Sequence, residues 1–116
     1  MKCVILLAIC FNLFSCGAPN HNCDALETNY RTDECLLIVK KLTDKYNRFD
    51  YEGINPISRK ECNCNSVRSN RWWADYSEYI KIGDTIIKKK GELIFSIHKK
   101  DTVLSFNFEC DGKVYK

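Results

Sequence analysis

Between Tyr79 and Cys110 the chain alternates apolar and polar residues, and Gly83-Asp84, Lys90-Gly91 and Lys99-Lys100-Asp101 interrupt the pattern. A period of two places successive side chains on opposite sides of a sheet, so this stretch predicts an antiparallel meander. Leu93, Phe95 and Ile97 fall on one face of one strand, and Leu104, Phe106, Phe108 and Cys110 on one face of the next. Val103, Ser105, Asn107 and Glu109 fall on the opposite, mixed face, as in a sheet that packs on one side. Asp111-Gly112 suits a tight hairpin, whose central residues need positive φ, and Lys113 to Lys116 would return as a short last strand.

Upstream, Thr32-Asp33-Glu34 has the form of a helix start, with a hydroxyl to cap free N–H groups and acids near the positive end of the dipole. Cys35, Ile38, Leu42, Tyr46 and Phe49 then recur at steps of three and four, predicting a helix that lies across the apolar face of the sheet. Asp24 and Glu27 can cap an earlier turn, but Asn29 to Thr32 argues against continuing it. Glu52-Gly53-Ile54-Asn55-Pro56 reads as a turn. Trp72, Tyr76 and Tyr79 are spaced for a short helix leading into the meander. Two adjacent indoles cannot both face inward on that short helix, so one of Trp72 and Trp73 can mark a contact surface, Trp being enriched at binding hot spots; the alternative packs both on the sheet edge or the helix. The fold expected is α+β: an N-terminal helix packed on an antiparallel meander of three to five strands.

The first residues have a separate logic. Lys2 precedes a 12-residue apolar run, Cys3 to Phe14. A helix crosses a bilayer with ~20 apolar residues, so this run has the length of a signal-peptide core instead. It ends in Leu13-Phe14-Ser15-Cys16, which resembles the lipobox of bacterial lipoprotein precursors. In that family the thiol receives a diacylglycerol and the signal is removed just before it. The resemblance implies that Cys16 is the lipidated first residue of the mature chain. Ile82-Gly83-Asp84-Thr85-Ile86-Ile87-Lys88-Lys89, followed by Gly91, is similar to a Gly-Asp-Ser/Thr segment of small uncharacterised lipoproteins of Gram-negative bacteria. The organisation expected is a signal peptide over 1–15, a lipidated tether over 16–22 and one domain over 23–116. The implied place is the cell envelope, at the outer membrane or the cell surface, with the membrane as partner through covalent lipid and an envelope protein as a further partner. The alternative is ordinary cleavage around Ser15-Cys16-Gly17, giving a freely secreted, disulfide-stabilised inhibitor or effector.

Eight cysteines are present, of which Cys23, Cys35, Cys62, Cys64 and Cys110 follow Cys16. In an oxidising compartment these are candidates for disulfides, with Cys62 or Cys64 bridging to Cys110 or Cys35. Five is odd, so at most two bridges form and one thiol stays free; spacing does not set the connectivity. Cys62-x-Cys64 lacks the second pair or His cluster of a zinc site, and His21 and His98 have no motif partner, so no metal or other cofactor is expected. Lys88-Lys89-Lys90 and Lys99-Lys100 read as solubilising turns, and a net charge of +3 with interspersed signs excludes a nucleic-acid face. Asp75 and Glu78 are the nearest approach to a carboxylate pair, and no nucleophile elbow or phosphate loop accompanies them. The chain reads as a non-enzymatic binding or structural module.

Overall fold

The computed structural model describes residues 22–42, 49–65 and 71–116. The signal core, Cys16, His21 and Tyr46 lie outside them. Seven antiparallel strands form one sheet in the order β3-β2-β1-β4-β5-β6-β7. They are β1 (Cys35–Leu42), β2 (Asp50–Ile54), β3 (Glu61–Asn65), β4 (Thr85–Lys88), β5 (Ile94–His98), β6 (Val103–Cys110) and β7 (Lys113–Tyr115). Helix α1 (Cys23–Thr32), the single turn α2 (Arg71–Ala74) and a 3-10 turn (Ser77–Tyr79) complete the described elements. The meander from β4 to β7 follows the alternation in the sequence. Leu93, Phe95, Ile97 and Phe108 are buried, and Leu104, Phe106 and Cys110 pack against them. The last hairpin turns through Asp111 at φ 52° and Gly112 at φ 78°, the paired positive angles that its residues predict.

The α+β expectation is corrected. The helix expected from Thr32 onward is replaced over its described part: Cys35–Leu42 is a central strand, flanked by β2 and β4. Cys35, Leu37 and Val39 point into the core while Leu36 and Ile38 are half-buried on the outer face. An unbroken apolar run such as Leu36 to Val39 satisfies both a helical and a two-residue period, and a strand shielded on both faces looks the same in sequence as a buried helix. Pairing with two neighbours decided the outcome.

The helix lies earlier, over Cys23–Thr32. Asn22 accepts from the Ala25 N–H through its side chain at 3.2 Å, and Asp24 occupies the first turn. Arg31 pairs with Glu27 at 2.7 Å, one turn back. Cys23, Leu26 and Tyr30 face the sheet. At the other end the chain uses a buried lysine. Lys88 is fully buried, and its ammonium donates to the carbonyls of Tyr30 at 2.5 Å, Asp33 at 2.6 Å and Arg31 at 3.4 Å. These carbonyls lie at the negative end of α1, where a cation is favoured. Lys88 is therefore an internal cap on α1 and not part of a solubilising turn.

Gly53 is likewise not a turn residue. It lies within β2, and a Cβ there would sit 1.8 Å from the Ile38 carbonyl oxygen. The turn begins at Asn55, whose side chain accepts from the N–H groups of Ile57 at 2.8 Å and Ser58 at 3.0 Å. The close approach at Gly53 accompanies a curl of the β2–β3 hairpin over the sheet. Cys35 of β1 and Cys64 of β3 are joined by a disulfide with Cα atoms 5.8 Å apart, although β2 lies between those strands. In a flat sheet two such strands would be roughly 9.6 Å apart, twice the ~4.8 Å spacing of neighbours.

The curl makes a concave inner face, and the α2 turn fills it. Trp72 lies against Tyr30, Phe95 and Phe108, and Trp73 against Phe49 and Phe95. The two indoles are 5% and 3% exposed. Adjacent positions are both buried because a one-turn helix in a concavity has walls on either side. The contact surface expected at Trp72 and Trp73 is thus absent.

Candidate functional site

The five cysteines of the domain resolve into two bridges. Cys23 joins Cys110, tying the start of α1 to the end of β6, and Cys35 joins Cys64. Cys62 is free. It shares a strand face with Cys64, and its sulfur lies 3.7 Å from the Leu36 carbonyl oxygen. Burial pushes its thiol pKa above 9.0 and keeps it protonated. Cys23, Cys110 and Asp111 bring two sulfurs and a carboxylate together. Both sulfurs are bonded to each other, so the group has no thiolate to offer a cation.

Asp84, in the Gly-Asp segment, is buried and structurally engaged. Its carboxylate accepts from the Lys81 N–H at 2.8 Å and pairs with the Lys99 ammonium, while its carbonyl accepts from the Val39 N–H at 2.8 Å. His98 lies on the outer face between Thr85 and Val103 of the neighbouring strands. Asp75 and Glu78 are exposed on the connection into the meander.

The surface with open binding capacity is the outer edge of β6. Its residues Val103–Asn107 pair with β5, whereas only Phe108–Cys110 pair with β7. The β5 ladder is bracketed by Lys99 N–H donating to the Thr102 carbonyl at 2.8 Å and Phe108 N–H donating to the Leu93 carbonyl at 3.1 Å. Main-chain groups of alternate residues point to opposite sides of an antiparallel strand. Leu104, Phe106 and Phe108 therefore direct theirs to β5, and Val103, Ser105 and Asn107 direct theirs away. Among the described residues β7 pairs with Phe108–Cys110, its register sets Lys116 beside Asn107, and no strand meets that side of Val103–Ser105.

A depression of about 400 Å³ lies beside this edge, lined by Tyr76, Ser105, Phe106, Asn107, Glu109 and Val114. Aromatic rings form a shelf along it. Tyr76 stacks on Phe106 at 4.0 Å between centroids, and Tyr79 stacks on the same ring at 5.8 Å. Tyr79 is 43% exposed. Trp72 fixes the Tyr76 ring by donating from Nε1 to the phenol oxygen at 3.1 Å. Burial raises the Tyr76 pKa above 10.0, so the shelf is uncharged at neutral pH. The Ser105 hydroxyl is engaged with that of Ser96 at 3.0 Å, and Glu109 supplies one exposed carboxylate at the rim. The arrangement offers strand-spaced amide groups, an apolar shelf and one negative charge. These are the elements of polypeptide recognition by strand addition.

Sequence reasoning placed the residues of β6 on their faces but did not single out this edge. Comparison with protein-family models, curated proteins and solved structures finds no match to the chain.

Proposed function

We propose that the chain is the precursor of an exported lipoprotein, held in the cell envelope by lipid on Cys16, whose sheet domain acts as a non-enzymatic binding module. The observation that carries this reading is the pair of bridges, Cys23–Cys110 and Cys35–Cys64. Disulfides persist in oxidising compartments outside the cytoplasm. An oxidising destination agrees with the short apolar run and the lipobox-like Leu13-Phe14-Ser15-Cys16. Lipid attached at Cys16 would leave Gly17 to Asn22 as a tether of about 20 Å at ~3.3 Å per residue, keeping the domain near the bilayer. The binding role draws on the side of β6 that no strand meets among the described residues and on the aromatic shelf beside it.

Membrane fractionation with detergent partitioning, on the wild type and Cys16→Ala, tests the anchor. The wild type should partition with detergent and the variant should not accumulate as a membrane-bound mature form. Wild-type protein that stays entirely in the aqueous phase would replace the anchored reading with the freely secreted one.

A further inference from the structure

We infer that the outer face of the sheet packs on the same face of a second copy, about a two-fold axis parallel to the strands. The inference rests on the anchored binding-module reading and names a partner for it. The face is built from cross-strand rows. Ile54, Ile38, Thr85, His98 and Val103 lie side by side on β2, β1, β4, β5 and β6. Leu36, Ile87, Ser96 and Ser105 form the next row. Neither row holds an Asp, Glu, Lys or Arg on these strands. Charge begins at the margins, with Glu61 beside Ile54, Glu34 and Lys40 at either end of the β1 part, and Lys116 beside Asn107.

A sheet face bathed in water alternates apolar with polar residues, whereas strands covered on both faces are apolar throughout. Cys35 to Val39 and Ile86-Ile87 are of the second kind. Cys35, Leu37, Val39 and Ile86 lie in the core with residues of α1 and the α2 turn. Leu36, Ile38 and Ile87 are half-buried outside that core, and at the margin Val103 is 51% exposed.

Area and anchoring favour a second copy as the cover. An uncharged face needs no opposite charge across the contact, and a two-fold axis lets one patch serve both partners. Strands β2 to β6 at ~4.8 Å spacing, by about five residues at ~3.4 Å, give a footprint of about 400 Å². That is roughly half the ~800 Å² per partner of a stable interface, so the contact is weak between freely diffusing copies. Copies tethered to one bilayer meet at a far higher effective concentration, which a weak self-contact needs and a soluble partner lacks. The tether also sets the axis. Cys23 is bridged to Cys110, so the chain upstream leaves at the C-terminal end of β6. An axis parallel to the strands puts both exits at one end, toward one membrane. An axis across the strands would put one exit at the far end, about 27 Å away along the 8 residues of β6. Gly17 to Asn22 reach only ~20 Å at ~3.3 Å per residue.

The test uses the mature chain on phosphatidylcholine vesicles, held by its own lipid or, separately, by an N-terminal histidine tag on a nickel-chelating lipid. Cys62→Ser removes the free thiol, and Thr102→Cys, at an exposed position, carries donor or acceptor dye. Energy transfer between copies is read at equal surface density. Ile87→Lys sets a cation in the middle of the face, and Ser96→Glu serves if that variant does not fold, as judged by circular dichroism. The expected result is transfer well above that of randomly placed copies, with at least a tenfold loss of apparent association in the face variant. Transfer between two copies labelled at Thr102→Cys should exceed transfer from Thr102→Cys to Lys113→Cys, because a parallel axis sets like ends together.

Transfer no greater than random placement, or indifferent to the face variants, overturns the inference; the reverse order of the two label pairs overturns its axis. So does a Ser96→Cys thiol that a water-soluble alkylator cannot reach on vesicles too sparse for copies to meet, which would assign the face to lipid or another segment. Tagged copies that pair, in a protein found to carry no lipid on Cys16, would fail the anchored reading and leave the face-to-face contact standing.

Discussion

Two residues carry more of the structure than their chemistry advertises. Gly53 lets β2 press against β1, where a methyl group would have to occupy the space of the Ile38 carbonyl. The obstacle is backbone, so no side-chain rotation relieves it. Gly53→Ala should lower the unfolding free energy by about 3 kcal/mol, at the severe end for a single substitution, measured by denaturant unfolding. Lys88 is the second. Replacing it by Met keeps volume but removes the ammonium that the carbonyls of Tyr30, Arg31 and Asp33 receive. A loss of about 2 kcal/mol is expected, with α1 the first element to open by hydrogen exchange. Burial holds the Lys88 pKa below its ordinary 10.5. In the alkaline window up to 10.5 the unfolded chain retains a proton that the folded chain has released, so this group adds stability as pH rises. Cys62 and Tyr76, whose pKa values are raised, act in the opposite sense above 9.0 and 10.0. The stability difference between wild type and Lys88→Met should therefore widen with pH in that window, and a difference that is flat with pH would contradict the assignment.

The elements are held by bridges of different reach. Cys23–Cys110 spans 87 positions and ties α1 to β6, while Cys35–Cys64 spans 29 and clamps the curled hairpin. On chain entropy alone the first contributes about 4–5 kcal/mol and the second about 3–4 kcal/mol. Paired alanine substitution at Cys23 and Cys110 should thus lower stability more than at Cys35 and Cys64. The opposite order would show that the clamp on the hairpin matters more than loop length. These elements also show what a sequence yields. The faces of β5 and β6 were legible because Phe95 and Ile97, and Phe106 and Phe108, alternate with polar residues in strands with one solvated face. β1 was not, because Leu36 to Val39 is apolar without interruption and only its two neighbours reveal it as a strand. The α1 helix was seen at its Asp24–Glu27 start and then lost at Asn29 to Thr32. Lys88 donating from β4 supports that end, a contact 55 to 58 residues away in the chain. Gly53 beside Asn55-Pro56 looks like turn chemistry; its close approach to Ile38 exists only in the folded sheet. The β6 edge was not legible, because its shelf exists only once Tyr76 is brought onto Phe106.

At the largest scale, the described residues form a curled seven-stranded sheet with an aromatic filling, stapled twice, in which β7 pairs with only the last part of β6. The polar side chains Glu61, Asn63 and Asn65 of the edge strand β3 discourage casual pairing there, which distinguishes that edge from the one beside Phe106. We propose that this domain is exported, oxidised and anchored through Cys16. The decisive measurement is the intact mass of protein taken from its native membranes, with and without alkylation under non-reducing denaturing conditions. The expected chain begins at Cys16 with added acyl mass, two bridges and a single alkylation, at Cys62. A chain beginning after Gly17 or Ala18 without acyl mass, or one that takes up five alkyl groups, would contradict it.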